Sequence, residues 1–205
     1  MTPGAVLAAG YLGGTVPVAY LVARRDGVDL RQIGNGTVSG SALYAVSGFG
    51  ALALAGCGEL AKGALGPVLA GRRRRALGTA GAALAIIGHD WSPWLGFRGG
   101  RGVSLLLGAT LVLAPEGTVV VAGGLGLGRL AKVTGLGTFL GLCLLPAVLG
   151  RRRGTPGVVT GMTLVAPVLA KRALGNDGRL PPTAFAVLRR LVADRDGLED
   201  RAGVR

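Results

Sequence analysis

"GHDWSPWLGFRGGRGVS", residues 88–104, places two arginines and five glycines inside a strongly apolar chain. Before it runs an apolar stretch, about 76–95, and after it another, about 103–124. A flexible cationic loop between two lipid-compatible segments reads as a turn at a membrane surface. The rest of the chain repeats the pattern: residues 1–23, 32–58, 133–150 and 154–170 carry no charge, and 102–128 carry only Glu116. Half of the 205 residues are hydrophobic and the mean hydropathy is +0.53, high for a soluble domain of this size. Runs of roughly 17 to 25 apolar residues suffice for a helix to cross about 30 Å of hydrocarbon.

Seven apolar stretches can be drawn, at about 4–23, 40–57, 60–71, 76–95, 103–124, 133–150 and 155–170. The expectation is therefore an all-α, polytopic helical bundle of about seven (five to seven) transmembrane helices. A single membrane domain over 1–176 would carry polar loops at 26–44 and 88–104. A short polar tail, 177–205, would follow with an amphipathic helix in "TAFAVLRRLVAD". The first segment lacks a basic leader and is followed by Arg24 and Arg25, so it is expected to be a retained crossing.

The net charge of +13 comes from 23 basic and 10 acidic residues. These basic residues punctuate apolar runs instead of forming one stripe, and aromatics are 4 %, which argues against nucleic acid and for juxtamembrane anchors facing anionic headgroups. Orientation stays open. A seven-crossing count sets "FRGGRG" and Arg151–Arg153 opposite Arg24, Arg25, Arg72–Arg75 and the tail; a five-crossing count returns "FRGGRG" to the side of Arg24 but sends the four-arginine run outward. Cys57, Cys143 and the single histidine, His89, make no metal or disulfide framework, and no cofactor is expected. The 39 glycines suit close helix packing in lipid.

Three polar islands carry the candidate chemistry: 26–44, 88–104 and 171–181. Glu59 and Lys62, three apart on one helical face, can pair, and a buried lysine can also reach a phosphate. In the second island, Arg98 and Arg101 supply bidentate donors for phosphate. The amides of Gly99, Gly100 and Gly102 are expected to converge into an anion-binding concavity opening on a helix N-terminus. His89 is a candidate base or donor beside a reacting hydroxyl, or a helix-terminal histidine bonded to a carbonyl.

The second island resembles a motif of the bacterial acyl-phosphate-dependent glycerol-3-phosphate acyltransferases, approximately G-H-x-F-P-x-F-x-x-F-K-G-G-K-G-V-A. Gly88, His89, Phe97, Gly99, Gly100, Gly102 and Val103 match it, and Trp91, Trp94, Arg98 and Arg101 are replacements in kind. "GYLGGTVPVAYLVAR" is similar to the family's first helix, and Asp29-Leu30-Arg31 to the D-I/V-R that follows. "ELAKG" is similar to D-x-x-K-G, while Asn176, Arg179 and Leu180 fit N-I-x-R-L.

The resemblance implies a membrane enzyme of phospholipid synthesis, moving a fatty acyl group from acyl phosphate to the sn-1 hydroxyl of glycerol 3-phosphate. It would sit in the inner (plasma) membrane with its active site facing the cytoplasm. His89, Asn35, Ser39 and Asn176 would be catalytic; Arg98, Gly99, Gly100, Arg101, Gly102, Lys62, Arg179 and Arg31 would hold substrate phosphate. The first motif departs from the family's S-G-N-x-G-x-x-N-x-x-R: alignment from Asp29 puts Asn35, Gly36, Thr37, Ser39, Ala42 and Ala45 at the named positions, and only Gly36 agrees. Two readings follow. In one, Asn35, Thr37 and Ser39 supply the hydrogen bonds and Arg31 or Arg179 the lost charge; in the other, an altered homologue binds a phosphorylated lipid or serves a different acceptor.

Overall fold

The structure, a computed structural model, describes residues 1–34, 36–176 and 178–193. Thr2 starts the first helix, α1 (Pro3–Thr15): its hydroxyl accepts from the Ala5 amide and Pro3 takes a position that needs no donor. Pro17 interrupts this helix and α2 (Val18–Arg25) resumes beyond it. Ser39 then caps α3 (Gly40–Ala70) through the Ala42 amide, and Gly71, at φ 73°, ends it. α4 (Arg75–Asp90) precedes the glycine loop, and α5 (Val103–Leu113) follows it. α6 (Pro115–Leu130), α7 (Thr134–Arg153), α8 (Thr155–Leu174) and a short α9 (Ala184–Ala193) complete the described chain. The chain is an all-α, multi-pass membrane protein, in which Pro3–Arg25, Gly40–Ala70, Thr134–Arg153 and Thr155–Leu174 are long and apolar enough to span.

The segmentation differs from the sequence-based expectation at two places. The stretches 40–57 and 60–71 are one helix, because Glu59 and Lys62 pair with each other and so do not force the chain out of the bundle. Conversely, 103–124 is two helices. Ala114 adopts φ −160° and ψ 77° before Pro115, whose ring disfavours helical geometry in the preceding residue. The polar loops are also shorter than expected, at 26–39 and 91–102, since α3 begins at Gly40 and α4 runs to Asp90. Inside α3, Gly48 leaves helical geometry at φ 75°, ψ −170°. The 22 residues beyond it would extend about 33 Å, close to the thickness of the hydrocarbon.

Glycine lets the helices meet backbone to backbone. A Cβ on Gly10 or Gly66 would run into the backbone of Gly81, and one on Gly63 or Gly108 would strike the backbone of Leu105 or Leu60. Around these contacts lies a continuous buried core of α4, α5, α7 and α8, with Ile86, Leu105, Leu106, Leu142 and Leu164 fully buried.

Hydrogen bonds identify the two ends of the bundle. Asn176 Nδ2 donates to Thr37 Oγ1 at 3.0 Å and Lys171 Nζ reaches Phe97 O at 3.5 Å, so all three polar islands gather at one end. At the other, Arg74 donates to Met1 O, and Arg153 donates to Leu113 O and pairs with Glu116 at 2.7 Å. This corrects the seven-crossing placement above: "FRGGRG" lies at the end of Arg24 and Arg25, and the run Arg72–Arg75 lies opposite.

Candidate active site

The break at Pro17 supplies the first elements of the site. A helix terminus leaves carbonyls without intrahelical partners, and here Thr15 O accepts from Ser92 Oγ at 2.7 Å while Val16 O accepts from Lys62 Nζ at 2.6 Å. Trp94 Nε1 donates to Thr15 Oγ1 at 3.1 Å. The broken first helix therefore holds both the middle of α3 and the start of the glycine loop.

Lys62 stands in a buried triangle. Its Nζ lies 2.8 Å from Glu59 Oε2 and 3.3 Å from His89 Nδ1, and His89 Nδ1 lies 3.1 Å from the same Glu59 oxygen. Glu59 is 6 % exposed and Lys62 8 %, so the two charges neutralise each other where water does not. A carboxylate at Nδ1 favours the tautomer with its proton there, which leaves the Nε2 lone pair available. Nε2 faces the Cα of Gly100, close enough that any Cβ there would collide with the ring.

In the glycine loop two amides are engaged within the fold. The Gly99 amide donates to Asp90 O at 3.2 Å and the Gly100 amide to His89 O at 3.3 Å, so both close the C-terminus of α4. Glycine is required there by packing: a Cβ on Gly99 would strike the His89 carbonyl, and one on Gly100 the imidazole. Gly102, at φ 64°, opens α5 with Ile86 and the Asp90 carboxyl directly against its Cα. A carboxyl group of the protein thus fills the space beside the N-terminus of α5. The Gly99 and Gly100 amides are thus engaged with the end of α4, and all three glycines let α4, His89 and Asp90 approach the loop.

Cationic side chains border a cleft of about 310 Å³ lined by Trp91, Phe97, Arg98, Lys171, Asn176 and Gly178. Lys171 is buried, with its ammonium 5.2 Å from the centre of the Trp91 ring. Arg98 is exposed and Arg101 half-buried. Asn176 donates to Thr37 and leaves its buried Oδ1 without a donor. Phe97 takes φ 64°, a conformation that costs a bulky residue energy and that clusters at functional sites.

The remaining candidates are placed as follows. Asn35 lies outside the described residues. Ser39 caps α3 and has its Oγ 3.4 Å from that of Ser41. Arg31 forms a two-point contact with Asp29 at 2.7 and 3.0 Å and stacks over Tyr20 at 5.2 Å. That hydrogen-bonded guanidinium holds the Asp29 carboxyl down at about 2. Arg179 is exposed, and its carbonyl accepts from Arg190. Sequence reasoning missed Lys171, Trp91 and the link from Glu59 to His89; the last needs α3 and α4 to pack side by side, which no local spacing encodes.

A family model described as glycerol-3-phosphate acyltransferase matches residues 4–180. "Glycerol-3-phosphate acyltransferase 4" of Dehalococcoides mccartyi (strain CBDB1) is 33% identical over 205 residues, covering 93% of this chain and 88% of the relative. "Glycerol-3-phosphate acyltransferase" of Anaeromyxobacter dehalogenans (strain 2CP-C) is 39% identical over 153 residues, covering 68% of this chain and 75% of its own. The fold is similar to the crystal structure of PlsY (YgiH), an integral membrane glycerol 3-phosphate acyltransferase, in its glycerol 3-phosphate form. There the TM-score is 0.76 at 19% identity, over 91% of this chain and 98% of that one. With the family match spanning most of its length, this chain belongs to the glycerol-3-phosphate acyltransferase family.

Proposed function

We propose that the protein transfers a fatty acyl group from an acyl phosphate to the sn-1 hydroxyl of glycerol 3-phosphate, giving lysophosphatidate, with His89 as the base. The hydroxyl oxygen bonds to the acyl carbon, the bond from that carbon to the phosphate oxygen breaks, and phosphate leaves with the electron pair. His89 Nε2 takes the hydroxyl proton and passes it to the departing phosphate. The observation that carries this reading is the buried contact between Glu59 Oε2 and His89 Nδ1, which leaves Nε2 facing the loop that borders the cationic cleft. An acyl phosphate is already activated, so the site's main tasks are to hold two phosphates and to orient the hydroxyl.

Lys171, Arg98 and Arg101 are the phosphate-holding cations of this reading. Asn176 Oδ1, with its amide nitrogen fixed by Thr37, accepts from a glycerol hydroxyl. Lys62 acts as a positioning residue, since its ammonium is directed to Val16 O and Glu59. Arg179 meets substrate from the surface, and Asn35 and Ser39 border the first loop.

Seven crossings accommodate the three islands at one end, counting 3–25, 40–70, 75–90, 103–113, 115–130, 134–153 and 155–174. The larger share of basic residues then falls at the site end, which favours a cytoplasmic active site in the inner membrane. A second reading, a homologue that binds a phosphorylated lipid or acylates another acceptor, is favoured by Ala45 at the position of the family's arginine. Purified protein supplied with palmitoyl phosphate and labelled glycerol 3-phosphate separates the two. Lysophosphatidate that disappears with His89→Asn supports the acyltransferase; no product, with retained stabilisation by phosphate, supports the binding homologue.

A further inference from the structure

The short helix α9 takes no part in the mechanism above, yet it is tied to the site at several points. Arg190 Nη1 donates to Leu174 O at 3.1 Å, to Ala173 O at 3.3 Å and to Arg179 O at 2.9 Å. The first two are terminal carbonyls of α8, which have no intrahelical donor; the third lies beyond the turn that carries Asn176. One guanidinium therefore spans the segment from the end of α8 to Arg179. On the other side, Arg172 Nη1 donates to Leu191 O at 3.0 Å and Gly135 O at 3.3 Å, joining α9 to the start of α7. The fit is close: a Cβ on Gly135 would lie 2.6 Å from Val192 O.

The outer surface of α9 is apolar. Phe185 is 76% exposed and Leu188 51%, and at 100° per residue these two and Val192 share one stripe with Arg189 at its margin. Because α9 packs on the site-end termini of α7 and α8, both of them spans, this stripe sits at the depth where helices leave the hydrocarbon. Exposed Lys132, Arg179 and Arg189 lie at the same end, a charge pattern that suits anionic headgroups.

We propose that α9 is an interfacial anchor: Phe185 and Leu188 enter the bilayer surface, and Arg190 holds the Asn176–Arg179 segment against the site as a positioning residue. The kinetic part rests on the acyl-transfer reading above, and the experiment keeps the two apart. Protein with Cys57→Ser, Cys143→Ser and Leu188→Cys carries an environment-sensitive fluorophore at position 188 in vesicles of phosphatidylethanolamine and phosphatidylglycerol. Quenching by shallow doxyl lipid and protection from aqueous iodide is the expected result; quenching by iodide with none by doxyl lipid overturns the anchor.

In the same vesicles, Arg190→Gln speeds backbone hydrogen exchange over 175–180 and raises the KM for glycerol 3-phosphate about tenfold, the effect of losing a charged hydrogen-bond donor. Arg190→Lys recovers part of the KM. Folded Arg190→Gln protein with unchanged exchange over 175–180 overturns the clamp. Wild-type protein that makes no product overturns only the acyl-transfer reading, since quenching and exchange still decide the anchor and the clamp.

Discussion

Replacing Glu59 with glutamine keeps the volume of the side chain and removes the charge that organises the buried triangle. The carboxylate oxygen Oε2 meets Lys62 Nζ at 2.8 Å and His89 Nδ1 at 3.1 Å. An amide offers one oxygen to these two donors and turns an NH2 group toward whichever it does not serve. Lys62, 8 % exposed, then loses its buried counter-charge, and breaking such a pair costs about 3–5 kcal/mol. His89 loses the acceptor that keeps its proton on Nδ1, and a positioned general base contributes roughly 10²–10⁴-fold to rate. Glu59→Gln should therefore lower kcat at least about 100-fold while the KM for glycerol 3-phosphate moves little. Lysophosphatidate release from palmitoyl phosphate and labelled glycerol 3-phosphate measures both, on protein that still elutes as a folded particle. Because the two residues act as a unit, Glu59→Gln/His89→Asn should be no slower than His89→Asn alone. A folded Glu59→Gln enzyme with wild-type kcat, or losses that multiply in the double variant, would refute the dyad.

Gly100→Ala should lower thermal stability and kcat together, because the added methyl meets His89 Nε2; stability at wild-type level with only phosphate binding impaired would favour an anion concavity instead. Lys171→Met should raise the KM for both phosphorylated substrates, seen by steady-state kinetics, with the chain's helicity unchanged by circular dichroism. The Asp29 carboxyl, at about 2 when folded against 3.8 as its ordinary value, contributes stability above pH 4 that is lost as pH falls through 2. Asp29→Asn should flatten that acid limb in a denaturation series by lowering stability at neutral pH, where the lost contribution was present, and only slightly because the Arg31 partner is solvent-exposed. Glu116→Gln, at the opposite end of the bundle, should leave turnover at wild-type level in the same assay, since its partner Arg153 also bonds Leu113 O.

The apolar runs made the membrane class legible, and the motif in 88–104 pointed to the correct family. Two errors in segmentation have physical causes that hydropathy does not register. The break drawn between 57 and 60 divides one helix, inside which Glu59 and Lys62 one turn apart pair and so stay within the bundle. Pro115, followed by the one charge of the run, Glu116, divides the helix through the backbone geometry it imposes on Ala114. Arg98 and Asn176, which line the cleft, stood out because polar residues interrupt an apolar pattern. For Gly99 and Gly100, a glycine-rich loop looks alike in sequence whether its amides face a ligand or a helix end, and here they face the end of α4. Lys171 begins the third polar island but was not singled out within it; its place in the last turn of α8 is one the helix dipole also favours. The Glu59–His89 contact joins residues 30 apart through the packing of α3 on α4, which only the tertiary structure supplies.

The backbone contacts at Gly10, Gly66 and Gly81 place α1, α3 and α4 around a single glycine with no side chain between them. Such a junction cannot be retuned gradually, because the smallest available substitution already exceeds the space. Sequence change in this scaffold is therefore channelled to surfaces where a side chain can vary without moving a helix axis. Exposed positions of the 26–39 loop and of the first turns of α3, such as Gln32, Ser41 and Ala45, belong to those surfaces, so an unusual first motif is compatible with an undisturbed bundle. Acceptor preference can drift there while the frame that carries His89 and Lys62 stays the same.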